Sequence, residues 1–197
     1  MGNKTLSKIK KVRELATSIV YKINQREEFA LGIGALAVVL ALVGKFSYLG
    51  IASVLIGFLL HEMAHRYFAR RALCSSRFVL DPLGLLLTIV SSFLPIAFLA
   101  PGYVGIYCYG NILKKRDMMR ISAAGIMTNL VISVIAIALY NLWPSFFSVL
   151  SVINAWFALF NLIPIGPFDG AKIFKLNKLV WGAFFVSSLA LYLFWVI

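Results

Sequence analysis

Apolar residues in this chain come in runs long enough to cross a bilayer, and those runs dictate what it can fold into. They recur at about residues 29–43, 47–66, 121–142, 146–163 and 179–197, separated by short stretches that hold most of the charge. Of 197 residues, 61% are hydrophobic and 13% charged, against roughly half and a quarter in soluble domains. A globular core of this size could not hide so much apolar surface from water. The chain reads as an all-α polytopic membrane protein of about five to six transmembrane helices.

The net charge of +12 raises the question of nucleic acid, which basic domains hold through phosphates. The placement of the charge answers it. Lysines and arginines sit between the apolar runs, as cytoplasmic loops require, and none forms a patch on a recognition fold. With the N-terminus in the cytoplasm, every Lys or Arg except Lys45 falls on the cytoplasmic side. The partner is therefore the lipid bilayer, with no nucleic acid. Residues 1–28 form a basic lead-in whose Leu6, Ile9, Val12, Leu15, Ile19 and Ile23 recur at helical spacing, which suits an amphipathic cytosolic helix on anionic lipid. No cleavable signal peptide precedes the first apolar run, so that helix is expected to serve as its own insertion signal. Trp143, Trp181 and Trp195 are placed as interface anchors. Residues 29–197 are taken as one transmembrane domain with its working core at about 47–170.

One stretch breaks the pattern. Residues 78–113 carry cytoplasmic charge at both ends, yet residues 83–100 are apolar enough to mimic a span. The segment must enter the membrane and return. Pro82, Gly84, Pro95, Pro101 and Gly102 cut it into pieces rich in Val, Ile, Phe and Tyr, which favours re-entrant strands or a tight helical hairpin. Cys74 and Cys108, the two cysteines, match no ligand or redox spacing and are read as inert thiols on the reducing side.

The second apolar run ends in His61-Glu62-Met63-Ala64-His65. Positions four apart share a helix face, so the two imidazoles can chelate one metal ion, and the Glu beside them can act as general base on a metal-activated water. These are the only two histidines in the chain. An acid or base inside a span costs about 2.5–3.5 kcal/mol on insertion scales, so a pattern of this kind at membrane depth calls for a function. A catalytic zinc site needs a third protein ligand. Asp117 lies within the cationic run from Lys114 to Arg120, where pairing is its expected task. Asp81 opens the re-entrant segment and stays a distant second. Asp169 is preferred, because Pro164, Gly166, Pro167 and Gly170 unwind the chain where the fourth run returns to the inner face.

Taken in order, three motifs resemble the site-2 protease family of intramembrane zinc metalloproteases. They are the HExxH run at 61–65, Gly125-Ile126-Met127-Thr128-Asn129, and the segment from Asn161 through Pro164 to Asp169-Gly170. The likeness covers a little over half the chain. Ile126 stands where that family often has Pro, and Phe168 where it usually has Leu, and neither change removes a ligand or the base. The resemblance implies one zinc ion on His61, His65 and Asp169, membrane-spanning protein substrates, a strand-forming loop after the HExxH helix, and a site entered near the cytosolic face. It also implies that Asn129 hydrogen-bonds the scissile carbonyl or its oxyanion. Residues 78–110 are expected to receive the unwound substrate by strand addition. The competing class is a membrane zinc-binding carrier or a catalytically inactive homologue, which would need no Glu62 beside the metal.

Overall fold

The computed structural model describes residues 14–15, 17–94, 99–108, 113–166 and 168–197. Half of the basic lead-in at 1–28 and part of the re-entrant segment lie outside them. In chain order the elements are α1 (Glu27–Leu42), α2 (Tyr48–Arg71), β1 (Ser75–Leu80), α3 (Pro82–Ser91), β2 (Gly102–Tyr107), α4 (Lys115–Ala138), α5 (Pro144–Asn161), α6 (Asp169–Leu176) and α7 (Lys178–Val196), with a 3-10 turn at Tyr140–Leu142. Among the described residues four helices, α2, α4, α5 and α7, are long and apolar enough to cross a membrane. The 16 residues of α1 rise about 24 Å, short of a hydrocarbon core of about 30 Å.

Local chemistry sets the helix boundaries. The Ser47 hydroxyl accepts from Gly50 N–H to open α2, and the Asn177 side chain accepts from Leu179 and Val180 N–H to open α7. Pro144 sits in the first turn of α5, where its missing N–H costs nothing. Two helices overrun the expected spans. Helix α2 continues to Arg71 and α4 begins at Lys115, because Lys and Arg are good helix formers. Charge marks where a helix leaves lipid, and the helix itself continues into water.

The contacts divide the chain into two compact units, Met1–Lys45 with Arg77–Gly105, and Phe46–Ser76 with Ile106–Ile197. In the first, α1 turns Ala30, Gly34, Ala37, Val38 and Ala41 inward, a single helical face. Strand β1 is held on one edge by side chains: Asn24 exchanges two hydrogen bonds with the Leu80 backbone (3.0 and 2.8 Å), and the Glu27 carboxylate accepts from Phe78 N–H at 2.9 Å. Its other edge faces β2 in a two-stranded sheet. The strands run antiparallel, since Asp81 N–H, just past β1, donates to Pro101 O, just before β2. The segment 78–113 thus contributes strands, as expected, and among the described residues between them lies the short helix α3. Asp81 accepts from Gly84 N–H at 2.6 Å and so caps α3.

In the second unit α2, α4 and α5 pack on one another and α7 packs on α5. The core joins Ile126, Leu130, Ala158, Leu162 and Ile173. Small polar side chains lock the α4–α5 seam, where the Ser133 and Ser151 hydroxyls meet at 2.9 Å. Two of the tryptophans placed as interface anchors turn inward. Trp181 donates to Leu162 O at 2.7 Å and Trp195 to the Ser151 hydroxyl at 2.8 Å. Helix α7 buries only Ser188 and leaves Leu179, Val186 and Phe194 outward, a surface suited to lipid.

The cysteines require a correction. Cys74 and Cys108 are joined by a disulfide, with Cα atoms 4.4 Å apart, and are not free thiols. Each stands one residue outside a strand, Cys74 before β1 and Cys108 after β2, and antiparallel pairing brings such positions opposite. A separation of 34 residues concealed this in the sequence. The folded protein will therefore resist maleimide until reduced, after which mass spectrometry will count two labels. The Cys74→Ser/Cys108→Ser variant will lose about 3–4 kcal/mol of stability, read by thermal unfolding in detergent, because the bond closes a loop of that length.

Candidate metal centre

Helix α2 presents His61 and His65 one turn apart, both buried, with Nε2 atoms 3.1 Å from each other. Asp169 reaches them from the first turn of α6, its Oδ2 lying 2.8 Å from His65 Nε2 and 3.4 Å from His61 Nε2. The three side chains expected as ligands thus converge. The other two aspartates have different tasks, Asp81 as the α3 cap and Asp117 beside Arg120 at 3.7 Å.

The chain places Asp169 by close approach. Helix α5 ends at Asn161, whose side chain ties back to Phe157 O at 3.0 Å, and Gly166 takes a positive φ of 66° to redirect the backbone. Gly170 then lies so near the end of α5 that a Cβ there would stand 2.3 Å from Leu162 C and O. Only glycine permits this contact. Ile173 and Leu162 share the core on the far side, and Trp181 holds the Leu162 carbonyl. The carboxylate is fixed by packing before any ligand arrives.

The Asp169 carboxylate is buried at this point, and its Oδ2 faces both imidazoles. Its second oxygen, Oδ1, accepts from Lys172 Nζ at 3.2 Å.

The far nitrogen of each imidazole decides what the near one can do. His65 Nδ1 lies 2.7 Å from Ile121 O, a backbone carbonyl that can only accept. His61 Nδ1 lies 2.6 Å from Asn129 Oδ1. Both Nδ1 atoms must therefore carry the proton and donate, which leaves both Nε2 lone pairs pointing inward. Two lone pairs and a carboxylate crowded together repel unless a cation lies among them.

The spacing suits such a cation. A tetrahedral ion with bonds of about 2.0–2.1 Å separates its ligand atoms by about 3.3 Å, and the three edges here are 2.8, 3.1 and 3.4 Å. Room is kept beside them by Gly125 of α4. A Cβ at that position would sit 2.4 Å from His61 Nε2 and 2.5 Å from His65 Nε2. The residues fit a metal ion.

Glu62 stands next to His61, about 100° further round α2, half-buried and close enough to His65 to act on it electrostatically. Asn129 is wholly buried and meets three protein partners: His61 Nδ1, Gly57 O at 3.3 Å and Asn154 Oδ1 at 2.9 Å. Sequence reasoning gave no part in the site to Asn154, Gly57 or Lys172. An asparagine in an apolar run was the one signal available for the first of them.

No family model and no solved structure matches the chain. A curated relative does. It is the protein named putative zinc metalloprotease MJ0611, from Methanocaldococcus jannaschii, 31% identical over 180 residues that cover 82% of this chain and 90% of the relative. Likeness of that extent makes this chain a member of the same zinc metalloprotease family.

Proposed function

We propose that this protein is an intramembrane zinc endopeptidase of the site-2 protease type, cutting membrane-spanning protein substrates near the cytosolic face of a prokaryotic cell membrane. The convergence of His61, His65 and Asp169, with both Nδ1 atoms committed to acceptors, carries the reading. On it, α1 makes a fifth, shorter crossing, the N-terminus is cytoplasmic, and the segment between α2 and α4 is re-entrant. The Cys74–Cys108 disulfide then lies on the cytoplasmic side, which calls for a cell whose cytoplasm preserves such bonds.

One zinc ion would be held by His61 Nε2, His65 Nε2 and an Asp169 oxygen. When bound, zinc supplies Lewis acidity, polarising the scissile carbonyl and making water acidic enough to ionise near neutral pH. The chain supplies the proton traffic. Glu62 takes a proton from the attacking water and returns it to the leaving amine, and its partial exposure lets that water arrive. Asp169 brings its Oδ2 to the same point as both imidazoles, where a carboxylate would meet a bound cation. Lys172 occupies the outer carboxylate oxygen and leaves Oδ2 to face the histidines.

A substrate helix must unwind before its backbone can be cut, and an extended segment needs a strand to pair with. Asn24 and Glu27 cover one edge of β1, while β2 carries the exposed Tyr103 and Tyr107 and has no second strand beside it among the described residues. That edge is suited to strand addition.

Purified wild-type protein should contain one zinc per chain and cleave a transmembrane reporter. Glu62→Gln should keep the zinc and lose at least about a hundredfold in turnover, the scale of a general base; a variant that cuts normally sinks the assignment. Asp169→Ala should lose zinc affinity by more than about a hundredfold in chelator competition, since even outer-shell losses reach that level. Gly125→Ala should fold yet take up zinc at least about tenfold more weakly, its new methyl filling the space beside both Nε2 atoms. Normal uptake would show that the ion sits elsewhere.

A further inference from the structure

Asn154 lies on α5, wholly buried, and makes no contact with either histidine among its hydrogen bonds. Its Nδ2 donates to Leu150 O at 2.8 Å, one turn back on its own helix. A backbone carbonyl can only accept, so this end of the amide must be nitrogen and the other end, toward α4, must be oxygen. That oxygen accepts from Asn129 Nδ2 at 2.9 Å, and the second hydrogen of the same Nδ2 goes to Gly57 O at 3.3 Å. Asn129 is thereby turned so that only its oxygen can face His61, which must answer with Nδ1–H.

Resting on the zinc reading above, we propose that Asn154 and Asn129 form a directional relay that sets the tautomer of His61, which makes Asn154 a positioning residue for the metal site. Without a fixed amide, Asn129 could rotate by half a turn and offer NH2 to His61. The imidazole would then have to accept at Nδ1 and carry its proton on Nε2, where no lone pair would remain for a metal. Both ends of the relay are anchored on carbonyls of the main chain, Leu150 O and Gly57 O, neither of which can reverse its role. The shorter of the two contacts that orient Asn129 comes from Asn154.

The packing at this point serves the relay. A Cβ on Gly57 would stand 2.6 Å from Asn154 Oδ1, so α2 must carry glycine there for α5 to bring the amide in. His65 follows a different rule. Its Nδ1 bonds directly to the main chain at Ile121 O, which has one orientation and needs no relay. The two histidines of one site therefore depend on different supports.

The test uses that asymmetry. His61 and His65 are the only histidines, so full-length protein labelled with 15N-histidine gives two imidazole patterns. In wild type both should carry a proton on Nδ1, and both should bind zinc through Nε2. Asn154→Leu, similar in size but without the acceptor, should move His61 toward the Nε2–H form, leave His65 unchanged, and weaken zinc about tenfold or more in chelator competition. Asn154→Ala removes the same oxygen with less bulk and carries the comparison if the leucine variant does not fold.

Rescue separates orientation from packing. A carboxylate at position 129 offers an oxygen whichever way it turns, so the Asn129→Asp/Asn154→Leu variant should recover the His61 pattern and most of the zinc affinity. The relay is overturned if His61 keeps its wild-type pattern in both single variants at 154. It is equally overturned if both histidines shift together, or if the double variant binds zinc no better than Asn154→Leu. Wild-type protein that takes up no zinc would remove the zinc reading itself, and the relay's role in metal binding with it.

Discussion

A polar atom buried among apolar helices must find its partner inside the protein, and this constraint organises the second unit around two imidazoles. Some hydroxyl side chains within the helices meet it locally. Ser53 returns to Leu49 O, Thr128 to Ala124 O and Ser188 to Phe184 O, each one turn back on its own helix. Such bonds satisfy the hydroxyl and specify nothing about neighbours. The bonds made by His61 and His65 are different in kind. They cross from α2 to α4, and through Asn129 on to α5, so three helices have one relative placement that leaves no imidazole nitrogen stranded. An unpaired polar group there would cost about 1–3 kcal/mol. The arrangement that meets this demand also exposes both Nε2 lone pairs to the same point.

Missing side chains allow the helices to come so close. Gly125 clears the space beside the two Nε2 atoms, and Gly57 admits the Asn154 amide. Membrane helices gain nothing from burying apolar surface against one another, because lipid is equally apolar, so tight backbone approach and interhelical hydrogen bonds must hold them. Here the two are coupled. A methyl at either glycine would separate helices and break a bond to a histidine partner in the same movement. Stability of the bundle and readiness of the site are thus properties of the same contacts.

The convergence of His61, His65 and Asp169 was legible in the sequence because each depends on local geometry or on simple exclusion. A spacing of four on a helix puts His61 and His65 together whatever the rest of the chain does. Asp169 stood out through breakers that unwind the chain around it, and Asp117 through the cations beside it, one of which it does pair with. The disulfide was not legible, since it depends on the register of two strands far apart in sequence. The helix ends were misplaced at Arg71 and Lys115 because hydropathy reports the lipid boundary and not the hydrogen-bonded one. Asn154 was beyond reach for another reason. Its meaning lies in which way an amide points, and that is decided by a carbonyl on its own helix and an asparagine on a second.

The third ligand shows how such a site divides its labour. His61 and His65 share one rigid helix and need no help to stay together, whereas Asp169 arrives more than a hundred residues later on a helix of eight residues. So short a helix cannot hold itself in place. Its register comes from Ile173 in the core and from Gly170 seated on Leu162, whose carbonyl is in turn held by Trp181. A carboxylate in the first turn also lies where the aligned peptide dipoles favour negative charge. A cation shared by Asp169 and the two imidazoles would therefore join α2 to α6 across the long intervening chain. The free energy of metal binding would enter the stability of the bundle, as it does wherever ligands come from separate elements. Because α5 positions both Asp169, through Leu162, and His61, through Asn154, that one helix sets the distance between the two halves of the site.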